Sequence, residues 1–349
     1  MNPAKPRELG FRMPAEWEPH AATWIAWPHN REDWPGRFAP IPWVYCEIVR
    51  KLSQSEAVRI LIQSEEAISR VKRMLVKSGA DLSTVQFFPI PTDRVWTRDY
   101  APLFVKSNDG EVAITNWNFN AWAKYDDWHH DNAVNEALIR QLRLRSWSPD
   151  VVLEGGSIDV NGAGILMTTE ECLLSPVQAR NPHLTRAEIE RVLSDYLGID
   201  RVVWLKNGIA GDDTHGHIDD LARFVNANTI VIAQEGNRDD ANYLNLAENF
   251  ELLQSEGFDL VSIPMPAEHT FNRRRLPASY ANFYIANETV LVPTFNDPND
   301  RIAVGIIGDL FPDREVVGIH AVELVWGLGT LHCMTQQEPA RETSASALE

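Results

Sequence analysis

The chain has 349 residues, 44% hydrophobic and 23% charged, which is enough to bury a sizeable core. Its formal net charge of -17 argues against nucleic acid or an anionic membrane surface as a partner and is compatible with a small cationic substrate. Three cysteines, Cys46, Cys172 and Cys333, with no CxxC spacing, exclude a disulfide scaffold and a multi-thiolate zinc site.

From the N-terminus, Met1 to Arg12 carries no apolar segment of the signal-peptide kind, and no window approaches the length of a membrane span. A cytoplasmic location is therefore expected. Residues 1–40 are rich in Pro, Trp and Glu and read as an irregular wrapping segment with a short strand near Thr23–Ala26. Five of the twelve tryptophans (Trp17, Trp24, Trp27, Trp34, Trp43) crowd the first fifty residues, where they would wall a cavity or core. The apolar spacing of Val44, Ile48 and Leu52 predicts a helix over Trp43–Leu52. Strand Val58–Ile62, helix Glu65–Lys77 and strand Val85–Phe88 follow, then a dense loop over Asp93–Asp99 and strands Leu103–Val105 and Ala113–Trp117.

A second loop, Phe119–Asp131, precedes helix Ala133–Gln141. Strand Val151–Leu153 runs into Glu154-Gly155-Gly156-Ser157, with strands at Ile158–Val160 and Ile165–Thr168. Helix Thr185–Tyr196 opens on a Thr N-cap with Glu188 placed for a capping box. Strand Val202–Trp204 leads into residues 211–220, followed by strands Leu221–Val225 and Thr229–Ala233. The last third holds helix Ala241–Gln254, strands Leu260–Ile263, Ala281–Ile285 and Val290–Val292, helix Arg301–Leu310 and strand Val316–Ile319. No low-complexity linker divides the chain, so one domain is expected over 1–338 and a disordered tail over 339–349. Helices separated by several strands favour repeated units of about three strands and one helix over simple βαβ winding.

The run Asp212-Asp213-Thr214-His215-Gly216-His217-Ile218-Asp219-Asp220 concentrates two imidazoles and four carboxylates. Acids this close repel unless a cation, a metal or a proton is shared among them. His215-x-His217-x-Asp219 has metal-site spacing, which leaves a metal-dependent hydrolase as an alternative; a solvated acidic turn is the other. In Trp96-Thr97-Arg98-Asp99-Tyr100 the plain reading is an Arg–Asp salt bridge. The functional one sets the Asp99 carboxylate beside the Trp96 face, where a planar guanidinium gains in-plane hydrogen bonds and stacking. Glu154 at a strand end before Gly-Gly is a turn or a site of close ligand approach. Cys46 and Cys172 sit in apolar patterns and read as core. Cys333, after a glycine-rich stretch, is the candidate nucleophile.

The sequence resembles the agmatine deiminase / peptidyl-arginine deiminase family of the guanidino-group-modifying enzymes. The resemblance rests on Gly10-Phe11-Arg12-Met13-Pro14-Ala15-Glu16-Trp17, Trp96-x-Arg98-Asp99, Phe119-Asn120-Ala121-Trp122, Leu153-Glu154-Gly155-Gly156, Gly216-His217-x-Asp219-Asp220 and His332-Cys333-x-Thr335-Gln336-Gln337-Glu338-Pro339. It implies an α/β fold, a five-bladed pseudo-symmetric propeller of ββαβ units. It also implies Cys333 as nucleophile, His217 as general acid/base, Asp99 and Asp219 as carboxylates clamping the guanidinium, and Glu154 oriented toward the histidine. Trp96, Trp122 and Asn282 fall near the substrate, and His215 has no role.

The implied reaction converts agmatine to N-carbamoylputrescine and ammonia through a covalent thiouronium on Cys333, with no metal and no organic cofactor. The rival within the family is a deiminase of peptidyl-arginine or another guanidino compound. The segment Trp122-Ala123-Lys124-Tyr125-Asp126-Asp127 departs from the agmatine-type wording, where the substrate tail would be read. The implied partner is a small guanidino cation; a homo-oligomer is left open.

Overall fold

The computed structural model describes residues 4–341. It is a mixed α/β fold whose strands form short sheets, three of them built to one plan. Strand Ile165–Thr169 pairs antiparallel with Asp159–Val160 and parallel with Arg201–Leu205, which the chain reaches through helix Arg186–Leu197. Strand Thr229–Gln234 pairs antiparallel with Ala222–Phe224 and, after helix Tyr243–Ser255, parallel with Asp259–Pro264. Strand Thr289–Thr294 does the same with Tyr284–Ile285 and, after helix Asn299–Leu310, Glu315–His320. A parallel neighbour requires a crossover, and each helix supplies one.

Two sheets gain a fourth strand. Phe11–Arg12 joins Leu103–Ser107, Val112–Thr115 and Ser146–Trp147. Gln336–Pro339 pairs antiparallel with His20–Ala26, beside Ala57–Ile62 and Val85–Pro89. The first and last parts of the chain thus share one sheet. Pro339 lies in that strand, inside the stretch expected as tail; residues 342–349 lie outside the described residues. Among the described residues no helix is long and apolar enough to cross a membrane.

Local chemistry accounts for the helix ends. Thr185 caps helix Arg186–Leu197 with the full reciprocal capping box to Glu188. Helix Glu65–Ser78 buries Val71 and Leu75, one turn apart, and stops at Gly79, whose φ of 82° lets its N–H cap the carbonyls of Leu75 and Val76. Helix Ile41–Leu52 starts two residues before its expected limit and buries Tyr45, Cys46 and Val49 as well as Ile48 and Leu52, whereas Trp43 is exposed.

Other expectations need correction. Val151–Leu153 is no strand: Val152 makes one bridge to Asn118, and the ladder position is taken by Ser146–Trp147. Ala281–Ile285 shrinks to Tyr284–Ile285, because the Asn282 side chain is committed to the groups described below. Helix His129–Leu142 begins four residues early, and Glu170–Leu174 forms a helix capped by Thr169. The hairpin Thr270–Phe271/Arg274–Arg275 had no apolar alternation to announce it.

Candidate active site

The connections between successive sheets deliver polar side chains to one enclosed place. The short helix Thr97–Tyr100 carries Asp99 and is docked against the cysteine segment. The Arg98 N–H donates to the Cys333 carbonyl at 3.1 Å and the Thr97 hydroxyl to the Met334 carbonyl at 2.8 Å. Arg98 does not pair with Asp99. Its guanidinium turns away to Glu16 (3.2 Å), Gln337 (2.7 Å) and the His332 carbonyl, so this arginine ties the C-terminal segment down and leaves the carboxylate free.

Asp99 is 4% exposed and accepts from the Trp122 indole at 2.9 Å and the Gly156 N–H at 3.0 Å. Trp122 holds that position through a turn in which Ala121, Trp122 and Ala123 all have left-handed φ (48°, 59° and 52°), pinned by Asn120 accepting from the Ala123 N–H at 2.9 Å. Left-handed backbone at non-glycine residues is costly and concentrates at functional sites.

Gly156 is the close approach that Gly-Gly suggested. A Cβ there would meet Asp99 Oδ1 and His217 Nδ1, each at 2.7 Å, and Asp219 Oδ2 at 3.1 Å. Three functional groups crowd the space a side chain would fill. His217, 1% exposed, has Nδ1 at 3.8 Å from Asp99 and 4.0 Å from Asp219, and Nε2 at 3.7 Å from Glu154. Glu154 Oε1 accepts from Arg180 Nε at 3.1 Å. Asp219 Oδ2 is 2.7 Å from His332 Nδ1 and 3.7 Å from the Cys333 sulfur. The Asn282 amide donates to that sulfur and to Asp220, each at 3.1 Å.

Electrostatics divides these groups. Burial pushes the Asp99 carboxyl up to about 6, with Asp219 and Glu154 adding to the rise and His217 opposing it. Burial would raise Glu154 too, but Arg180 and His217 outweigh it and hold the group at about 2. For His217, burial lowers and the surrounding Asp99, Cys172 and Glu154 raise; the net is well above the usual imidazole range, so the ring is cationic at neutral pH. Burial and the charges of Asp219, Asp220 and Asp99 push the Cys333 thiol well up. The empty pocket therefore holds a thiol, and an added cation among those carboxylates would favour the thiolate.

The pocket is a cavity of about 250 Å³ whose lining includes Trp96, Asp99, Trp122 and Cys333 together with Asp33, Arg94, Tyr125 and Asp213. A Cβ at Gly329 would strike Trp96 at 2.8 Å and the Cys333 Cβ at 3.1 Å, so that glycine lets the indole and the cysteine approach.

The structure thus brings Cys333, His217, Asp99, Asp219, Glu154, Asn282, Trp96 and Trp122 together. His215 stands apart: its ring meets Ser175 at 3.1 Å and Glu171 at 3.7 Å, and it lines a separate cavity. The HxHxD run therefore does not form one metal site, since its two imidazoles serve different surroundings. Among the described residues Glu154, Cys172 and His217 do place three ligating atoms within 4.8 Å of one another. Arg180 already balances Glu154 there, and a second cation would face its repulsion. Cys172 is core, as its apolar run implied, and also a neighbour of His217.

Sequence reasoning gave no place to Arg180, Asp33 or Cys172 beside His217, and none to Glu16 as a hub. Glu16 meets Arg98, Arg223 at 2.9 Å and His332 at 2.8 Å, below the site. His332 and Asp220 were in view only as motif neighbours of Cys333 and Asp219.

Comparison with known proteins places the chain among deiminases. The model of the Porphyromonas-type peptidyl-arginine deiminase family matches residues 12–339. An agmatine deiminase of Pseudomonas aeruginosa (strain LESB58) is 35% identical over 368 residues, covering 96% of this chain and 97% of its own. That of Pseudomonas syringae pv. tomato is also 35% identical, over 365 residues, covering 96% and 97%. Among solved structures, C. jejuni agmatine deiminase with substrate bound has a TM-score of 0.88 at 32% identity, covering 95% of this chain and 97% of that one. Agmatine deiminase of Enterococcus faecalis has a TM-score of 0.89 at 30% identity, covering 98% and 99%. With residues 12–339 matched by the family model, the chain belongs to the Porphyromonas-type peptidyl-arginine deiminase family.

Proposed function

We propose that this chain is an agmatine deiminase, a C–N hydrolase that converts agmatine and water to N-carbamoylputrescine and ammonia. The observation that carries the reading is the convergence of the Cys333 sulfur, the Asp99 and Asp219 carboxylates and the His217 ring in one buried pocket. A guanidinium is a poor electrophile because its charge is spread over three nitrogens. Asp99 and Asp219 grip its edges, orient its carbon toward sulfur and are neutralised by it. The incoming cation offsets the carboxylates that keep Cys333 protonated, and the thiol gives its proton to solvent to form the thiolate.

Sulfur then bonds to the guanidinium carbon to give a tetrahedral adduct. The His217 imidazolium donates its proton to one terminal nitrogen, the C–N bond breaks and ammonia leaves, with a thiouronium on Cys333. Neutral His217 takes a proton from water as the hydroxide adds to carbon. The adduct's hydroxyl gives its proton to solvent as the C–S bond breaks, the ureido product leaves and the thiolate is restored. Glu154, ionised and held by Arg180, keeps His217 cationic for the first step. General acid/base help of this kind contributes about 10²–10⁴ in rate. Trp96 covers the guanidinium face, Trp122 orients Asp99 and Asn282 fixes the sulfur.

The same reading takes the short sheets with their helical crossovers as blades of a five-bladed propeller around this pocket, in a single catalytic domain over 1–338, acting in the cytoplasm. The repeated pattern of an antiparallel pair followed by a parallel crossover supports it. Ammonia release from agmatine, free arginine and an arginyl peptide, measured side by side and repeated with Cys333→Ala, tests the assignment. Release from agmatine that vanishes with Cys333→Ala is expected; preference for the arginyl peptide would replace agmatine as substrate.

A further inference from the structure

Five of the groups lining the pocket are acidic, and they differ in what already holds them. Asp99 is held by the Trp122 indole and the Gly156 N–H. Asp213 is fully engaged by Lys124 (2.6 Å), Tyr125 (2.6 Å) and Arg274. Glu32 is exposed, and the half-exposed Asp127 pairs with Arg94 at 2.7 Å. Asp33 is different. Its side chain is 1% exposed, one oxygen accepts from Arg94 at 2.6 Å, and the other, Oδ2, is buried with no partner. A buried carboxylate oxygen left unpaired is costly and is a feature that calls for a ligand. The Tyr45 hydroxyl is likewise buried and unpartnered.

We propose that Asp33 Oδ2 binds the primary ammonium at the far end of the substrate's alkyl chain, making Asp33 the residue that selects a diamine-derived guanidine over one with a neutral tail. The site needs a donor with positive charge, because Arg94 alone leaves the carboxylate half satisfied amid Asp127 and Glu32. Burial, with those two acids adding and Arg94 opposing, pushes the Asp33 carboxyl up to about 7; an ammonium seated on it restores the ionised form. The assignment rests on the deiminase reading for the guanidinium end of the ligand.

The test is calorimetric binding of agmatine and of n-butylguanidine, which has the same chain without the ammonium, to Cys333→Ala and to Cys333→Ala/Asp33→Asn. The expected result is that the affinity ratio, agmatine over n-butylguanidine, drops about 10–100-fold with Asp33→Asn, the range of a charge-assisted hydrogen bond. An unchanged ratio overturns the proposal. A second measurement needs no Asp33 variant. In Cys333→Ala the same ratio should fall as pH is lowered through about 7, where Asp33, facing Arg94, Asp127, Glu32 and Tyr45, takes up its proton. A ratio flat from pH 8 to about 5 contradicts it. Binding that discriminates through Asp33 without ammonia release by the wild type would sink the deiminase reading alone. Ammonia release with an Asp33-independent ratio would sink this one alone.

Discussion

His217 Nε2 lies 3.7 Å from Glu154 Oε2, and neither atom has a hydrogen-bond partner of its own. The pair is coupled by charge across a gap too long for a direct hydrogen bond. A ring held this way keeps its positive charge without a fixed partner, which suits an imidazole that must give a proton up and take one back.

Replacing Glu154 by Gln removes the charge while keeping shape. Because that charge raises the His217 pKa, the variant should lose the imidazolium at lower pH. The alkaline limb of kcat against pH is expected to move down, with kcat reduced about 10-fold or more. A pH–rate profile of wild type and variant reads this directly; an unmoved limb would show that Glu154 does not tune the ring.

The acid side follows from Asp99. A carboxyl raised to about 6 is ionised above that pH and neutral below it, and the neutral form cannot grip a cation. The kcat/KM for agmatine should fall as pH drops through about 6. A flat profile down to pH 5 would argue that Asp99 stays ionised and that the burial argument is mistaken.

Gly156→Ala tests the crowding at the centre of the site. The new methyl must displace Asp99, His217 or Asp219, and a 1 Å misplacement of reacting groups costs about 10²-fold in rate. A drop of that order in kcat, with thermal unfolding measured alongside, is the expected outcome. Wild-type turnover in the variant would mean that the three groups tolerate a different spacing.

Arg180 and Glu154 are both fully buried, so removing one partner strands the other's charge. Arg180→Met should destabilise the protein by about 3–5 kcal/mol. In the wild type the Glu154 pKa is depressed from 4.5 to about 2. Its stabilising contribution is therefore complete above the unfolded value and lost as pH falls toward 2. Arg180→Met removes the main lowering influence on Glu154, so that acid-side loss should shrink or reverse. Urea unfolding at neutral and acid pH checks both.

The residues that could be picked out in the sequence are those whose chemistry is concentrated locally. Asp99, Glu154, His217, Asp219 and Cys333 each stand in a short run dense with acids, aromatics or glycines, and the pocket assembles those runs. Arg180 and Asp33 stood in ordinary polar surroundings, and only long-range packing sets Arg180 against Glu154 and Asp33 against Arg94. His215 and His217 had equal claims by spacing; the left-handed φ of His215, 65°, turns its ring to Ser175 instead. The strand expected at Val151–Leu153 failed for a related reason: its edge is bound by the Asn181 side chain, which accepts from the Val152 N–H and donates to its carbonyl.

The covalent step can be caught. Protein quenched during turnover of agmatine and digested for mass spectrometry should show the Cys333 peptide carrying the mass of agmatine less ammonia, absent from Cys333→Ala. No such adduct, together with full ammonia release by Cys333→Ala, would contradict the account.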